Sequence, residues 1–249
     1  MEYVTVEKRE GITTLTLLRG KVNALNGAVV DEVKGTFTTL ENDEETRAII
    51  LTGRGKFFSF GFDIPEFLSY TKEEFTRYLT EFTGLYTYMF SYPKPIVAAL
   101  NGYTIAGGCM LALACDHRVM VTGNARISLN EISFGASVFA GSMEMLRFWA
   151  GSKNATNVLN SGALYSANEA KKLGMIEDIT TDKELKNLAT NVAMELGSKH
   201  PPAFASIKQQ LRKSTLEEMQ SREAESIEKF VEIWYSKETW ENLKNIKIY

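Results

Sequence analysis

Two short stretches of this chain, Ala48-Ile49-Ile50-Leu51 and Pro95-Ile96-Val97-Ala98-Ala99-Leu100, are apolar almost without interruption. A strand with no polar face cannot line solvent. It belongs inside a sheet covered on both sides, the situation of parallel strands joined by helical crossovers. The sequence around the two strands fits that demand. Tyr3, Thr5 and Glu7 alternate with Val4, Val6 and Lys8 across a Met1–Arg9 strand, Glu10-Gly11 makes a hairpin turn, and Ile12, Leu15 and Leu17 lie on a second strand. Asn26 is placed to cap a helix carrying Val29, Val33, Phe37 and Leu40 at helical spacing, which ends at the polar break 41–45. Residues 53–65 read as a loop rich in Gly and Phe, Lys72–Phe90 as a helix, Gly107–Cys115 as a buried apolar helix and Arg118–Val121 as a strand, followed by alternation at Ala125, Ile127 and Leu129. Strand–strand–helix units recurring every few dozen residues predict stacked turns around a shared core.

From about residue 141 the pattern is mostly helical. Thr181-x-x-Glu184 reads as a capping box ahead of Leu185, Leu188, Ala189, Val192 and Leu196, with Gly197 as the stop. Pro201-Pro202 opens a long helix with Leu216, Met219, Ile227, Phe230 and Trp234 on one face. The expected organisation is a core over residues 1–180 and a smaller helical domain over 181–249.

Composition narrows the partners. With 28 basic and 31 acidic side chains the net charge is −3, and no basic stripe appears, which argues against nucleic acid. The longest apolar run, Ala106–Cys115, falls short of the roughly 20 residues of a membrane helix. Cys109 and Cys115 cannot build a disulfide framework and point to a reducing compartment. The start of the chain lacks a signal core, and Asn245–Tyr249 matches no peroxisomal or prenylation address, so the expected location is cytoplasmic. Several chemistries find no motif: there is no Gly-x-Gly-x-x-Gly after a strand, no P-loop and no Gly-x-Ser-x-Gly elbow. His117 and His200 lack ligand-spaced companions, so no metal is expected and His117 reads as structural.

Three segments remain. Gly55–Ile64 follows one buried strand, and Asn101–Cys109 joins the next to an apolar helix. Glycines there let backbone approach a ligand, and a helix start offers unpaired N–H donors suited to a developing oxyanion. Taken singly, each segment is equally a tight turn. In the third, Ser128-Leu129-Asn130-Glu131-Ile132, a carboxylate follows an apolar strand; in apolar surroundings its pKa would rise toward general-base use, and in an exposed turn it would not.

Read together, these segments resemble the enoyl-CoA hydratase/isomerase, or crotonase, superfamily. The resemblance runs from Lys21-Val22-Asn23-Ala24-Leu25 through Arg47–Gly53, Phe57–Ile64, Pro93–Gly102, Ala106–Cys109 and Cys115–Arg118 to Ala163–Ala170. It implies an α/β spiral of β-β-α turns followed by a C-terminal helical domain that assembles trimers or pairs of trimers. It implies an acyl-CoA thioester as ligand, coenzyme A being part of the substrate and no separate cofactor being needed. By the same resemblance the backbone N–H groups of Phe62 and Gly107 form the oxyanion hole. Phe60, Gly61, Asp63 and Ile64 lie along the thioester beside Gly108, and Val22, Ala24 and Leu25 contact coenzyme A.

The family's hydratases use two glutamates. Here the first of those positions is Met110, which cannot activate water, and the second is Glu131. Gly107-Gly108-Cys109-Met110 and Leu129-Asn130-Glu131 resemble the Δ3,Δ2-enoyl-CoA isomerase branch, with Asn130 beside the substrate. The expected reaction is the shift of a 3-enoyl-CoA to a 2-enoyl-CoA with Glu131 as the one base. The alternatives are hydration or another crotonase reaction, and an acyl-CoA-binding scaffold without turnover. The segment Gly135–Gly141 departs from the family pattern, and Glu144 reads as a helix-surface residue.

Overall fold

The computed structural model describes residues 2–246. Met1 and residues 247–249, the last of which belong to the C-terminal stretch inspected for a targeting address, lie outside the described residues.

The apolar strands do sit inside a parallel sheet. Strands β1 (Val4–Arg9) and β2 (Ile12–Leu17) form an antiparallel hairpin, and β2 then pairs in parallel with β3 (Ala48–Gly53). Each later turn of chain contributes one strand to this sheet and one to a second. β3 is followed by β4 (Phe57–Ser59), β5 (Ile96–Leu100) by β6 (Tyr103–Ile105), and β7 (His117–Val121) by β8 (Ile127–Ser128). With β9 (Asp178–Thr180) the large sheet runs β1-β2-β3-β5-β7-β9, and the small one runs β4-β6-β8, all parallel. This is the spiral of strand–strand–helix turns that the repeat predicts.

Local chemistry sets the helices. Helix α1 (Gly27–Glu41) begins where the Asn26 side chain accepts the Val29 N–H at 3.1 Å. The short α2 (Ile64–Phe67) is capped by Asp63, and α3 (Lys72–Ser91) by a capping box between Thr71 and Glu74. Helix α4 (Gly107–Ala114) is buried on every side, as an apolar segment with no polar face must be. Next come α5 (Ala140–Ser161), kinked at Gly151, and α6 (Ala167–Lys172). The final helices are α7 (Leu185–Gly197), α8 (Pro201–Trp234) and α9 (Lys237–Lys244). Helix α7 lies against β3, β5 and β7, whereas α8 packs on α3 and α5. No helix among the described residues is long and apolar enough to cross a membrane.

Three local expectations are corrected. Thr181 makes no side-chain cap; a 3-10 turn over Asp182–Glu184 intervenes, so Glu184 stands at the N-cap of α7. Gly197 is the last residue of that helix rather than a left-handed stop after it. Glu144 is not on a helix surface. It is 8% exposed and bonded to Arg147 at 3.0 Å and to Arg222 of α8 at 2.9 Å.

Candidate active site

The small sheet carries the two glycine-bearing segments side by side. Gly61 has φ +90°, and a Cβ there would lie 2.8 Å from the Ile105 carbonyl oxygen and 3.1 Å from the Gly107 nitrogen. A Cβ on Gly108 would fall 2.5 Å from the Ser59 carbonyl oxygen. Only glycine lets these backbones touch. One on Gly107 would meet the Phe62 ring at 3.0 Å, which puts Phe62 and Gly107 against each other.

Each of the two brings a free donor. Leu25 pairs with the Phe62 segment as a parallel bridge: Leu25 N–H donates to Gly61 O at 2.7 Å and Asp63 N–H to Leu25 O at 3.0 Å. In a parallel bridge the residue between those two contacts turns its own N–H the other way. Gly107 is the first residue of α4, where an N–H has no partner within its helix. Neither N–H finds an acceptor among the described residues. The residue before Gly107, Ala106, holds φ +50° and ψ −118°, a conformation costly for a side-chain-bearing residue. It is held there by Ala106 N–H donating to Ser128 O at 2.8 Å and by its own carbonyl accepting the Met110 N–H at 3.0 Å. Backbone strain at a turn that presents helix N–H groups is characteristic of functional sites.

Glu131 lines the same cavity as Phe62 and Ala106. It opens a 3-10 turn, Glu131–Phe134, that follows β8. The residue is 3% exposed, both carboxylate oxygens lack a partner among the described residues, and burial pushes its carboxyl up to about 8. The Oδ1 of Asn130 is likewise buried without a donor. Both residues line a cavity of about 300 Å³ in which, among the described residues, Glu131 is the one carboxylate and no Lys, Arg or His takes part.

Of the sequence-predicted residues, Phe60, Phe62, Ile64, Asn130 and Glu131 line this cavity, and Ala106 brings the Gly107 N–H to its edge. Gly61 and Gly108 act behind the wall, in the contact between the two segments. Asp63 caps α2 and pairs with Arg19 at 2.5 Å. Val22, Ala24 and Leu25 are buried beside the 60–63 segment and off the cavity wall. Asn23, between them, donates through its amide to Arg54 O at 3.1 Å and Phe57 O at 2.8 Å, fixing that strip. Met110 is fully buried in α4 and does not reach the cavity.

Sequence reasoning missed the opposite wall: Ser133 and Phe134 after the base, and Phe230, Trp234 and Ile246 from the end of the chain. The helical spacing of Phe230 and Trp234 announced a buried face but not what it covers. A larger cavity of about 450 Å³ lies between α8 and the end of α4. Its charged side chains Lys208 and Arg212 are both bonded to Asp116. Among the described residues no group of three or more His, Cys, Asp or Glu is placed to hold a metal ion.

Known proteins resemble this chain in sequence and in fold. Residues 7–244 match the family model described as enoyl-CoA hydratase/isomerase. A probable enoyl-CoA hydratase of Bacillus subtilis is 32% identical over 210 residues, 83% of this chain and 81% of that protein. A putative enoyl-CoA hydratase of Thermus thermophilus is 37% identical over 175 residues, 69% and 68% of the two chains. In fold, the human mitochondrial Δ3,Δ2-enoyl-CoA isomerase superimposes with a TM-score of 0.92 at 24% identity, over 98% of this chain and 96% of that one. The spiral of β-β-α turns with its C-terminal helices is therefore the crotonase fold, and the chain belongs to the enoyl-CoA hydratase/isomerase family.

Proposed function

We propose that this protein isomerises 3-enoyl-CoA thioesters to their 2-enoyl isomers with Glu131 as the one base. The observation that carries the reading is the Glu131 carboxylate, unpartnered and without a second acid in its cavity among the described residues, while Met110 stands at the hydratases' other glutamate position and is buried away from it.

In this reaction the thioester oxygen lies between the Phe62 and Gly107 N–H groups. The Glu131 carboxylate removes a proton from C2. The C2–H bond electrons move into the C1–C2 bond, and the carbonyl π electrons collect on the oxygen held by the two donors. Collapse of this dienolate moves the 3,4 double bond to 2,3 as C4 takes back the proton from Glu131. The proton count and oxidation state are unchanged, and no water is consumed. Each oxyanion donor is worth about 10²–10³ in rate and the base about 10²–10⁴.

The hydratase names of the bacterial relatives favour a second reading, water addition. It requires a group that activates water, which Met110 does not supply. One assay separates the two. 3-Hexenoyl-CoA should gain the absorbance of the conjugated thioester, while crotonyl-CoA is hydrated far more slowly. Equal rates would overturn the isomerase reading, and tight acyl-CoA binding without turnover would replace it with a scaffold. The same reading carries a cytoplasmic trimer or pair of trimers, with residues 181–249 supplying contacts between copies. It is supported by Ile207 and Leu211, exposed on α8, and is tested by light scattering.

A further inference from the structure

Where Glu131 points is not set by a hydrogen bond of its own, since its carboxylate has no partner among the described residues. It is set by the backbone that carries it, the 3-10 turn Glu131–Phe134. Such turns are short and their internal bonds are poorly aligned, so one that must hold a side chain still needs support from outside. This turn closes on Gly135, left-handed at φ +86°, whose N–H donates to Ile132 O at 3.2 Å, and the Ala136 N–H reaches back to the Glu131 carbonyl at 3.0 Å. The outside support comes from α9. The Thr239 hydroxyl, on a residue 3% exposed, donates to the Gly135 carbonyl at 2.7 Å, and Asn242 Nδ2 donates to the Phe134 carbonyl at 3.4 Å. Three residues apart, these side chains share one face of α9, whose cap Ser236 accepts the Thr239 N–H at 3.4 Å. The contact is close: a Cβ on Gly135 would lie 3.1 Å from Thr239 Oγ1.

Resting on the isomerase reading, we propose that Thr239 is a positioning residue for Glu131: its hydroxyl anchors the Gly135 carbonyl, and through it the turn that carries the base. Glu131 must reach C2 and then C4 of the acyl chain, so a turn that drifts misplaces it at both steps. Misplacement by about 1 Å costs on the order of 10²-fold in rate. A turn that keeps its other contacts, the Asn242 bond and the Ser133 hydroxyl on the Gly162 carbonyl at 3.3 Å, drifts by less. Loss of the Thr239 hydroxyl alone should therefore cost about tenfold. In this way α9 serves the site through the backbone of the turn, without touching the substrate.

The test compares Thr239→Val, which keeps the shape and loses the hydroxyl, with Thr239→Ser, which keeps the hydroxyl. With 3-hexenoyl-CoA, Thr239→Val should lower kcat about tenfold while KM stays within about twofold, and Thr239→Ser should restore kcat to within about threefold of the wild type. A Thr239→Val protein with wild-type kcat, or a Thr239→Ser protein as slow as Thr239→Val, overturns the proposal. If Thr239→Val does not fold, amide hydrogen exchange of the wild type decides. A helix of 8 residues is too short to persist undocked, so exchange of the Trp240 N–H, bonded to Ser236 O at 2.9 Å, reports the release of α9. The Ala136 N–H should exchange no more slowly than that. An Ala136 N–H that outlasts it by more than about tenfold belongs to a turn held without α9 and overturns the proposal. Failure of the wild type to isomerise 3-hexenoyl-CoA would defeat the isomerase reading, and the exchange comparison would still judge whether Thr239 holds the turn.

Discussion

Two cavities of this protein, those lined by Asp116 and by Glu131, both contain buried charge, and they treat it in opposite ways. At the larger one, the Asp116 side chain is 9% exposed and fully engaged: Arg212 Nη2 donates to it at 2.8 Å, Lys208 Nζ at 2.7 Å and the Ile96 N–H at 2.8 Å. At the smaller one, Glu131 is more deeply buried, at 3% exposed, and its carboxylate has no partner among the described residues. A buried ion whose bonds are complete is spent on holding α8 to the body of the fold. A buried carboxyl without bonds destabilises the native state once it ionises and is kept for what it does to a ligand. Burial alone does not mark an active site; burial without a partner does.

Four measurements put this contrast at risk. The largest effect belongs to Glu131→Gln, which should lower isomerisation by about 10²–10⁴ while the protein stays folded. A loss below tenfold would remove the base from the mechanism. Asp116→Ala should do the reverse. It strands Lys208 and Arg212 and should cost about 3–5 kcal/mol in urea unfolding, with little change in kcat of the folded fraction. A loss of activity without a loss of stability would erase the distinction.

The third measurement is pH dependence. The Glu131 carboxyl, near 4.5 when unfolded, is raised to about 8 in the fold, so above pH 4.5 the unfolded chain binds fewer protons than the native one. Its contribution is complete below pH 4.5 and is lost as pH rises to about 8. The stability gap between Glu131→Gln and the wild type should therefore grow in favour of the variant across that window, by an amount on the order of 3–5 kcal/mol. In the same window kcat/KM should climb, since the carboxylate is the working form. A flat profile in both would show that Glu131 is already ionised. The smallest effect sets the scale for ordinary structure: Thr71→Ala, at the cap of α3, should cost about 1 kcal/mol and leave both cavities as they are.

Much of the fold was legible because its signals are local. Asn26 beside Val29, the apolar runs at Ala48–Leu51 and Ile96–Leu100, and Pro201-Pro202 each act within a few residues of where they stand. What escaped is set by distant pairing. Asp178–Thr180 is a strand because β7 offers it an edge, not because three residues alternate. Glu144 looks like a surface residue until Arg222, far along the chain, covers it. The candidate site divides along the same line. The backbone donors and Glu131 lie in motifs that can be read in order, whereas Phe230, Trp234 and Ile246 reach the cavity only by the packing of α8 and of the residues beyond its C-terminus.

That division has a consequence in time. Synthesis proceeds from the N-terminus at about 5–20 residues per second, so Glu131 and both glycine segments leave the ribosome several seconds before the end of α8 does. During that interval the cavity lacks the wall that Phe230 and Trp234 supply. The cavity that holds the base is therefore closed by the part of the chain that is made last.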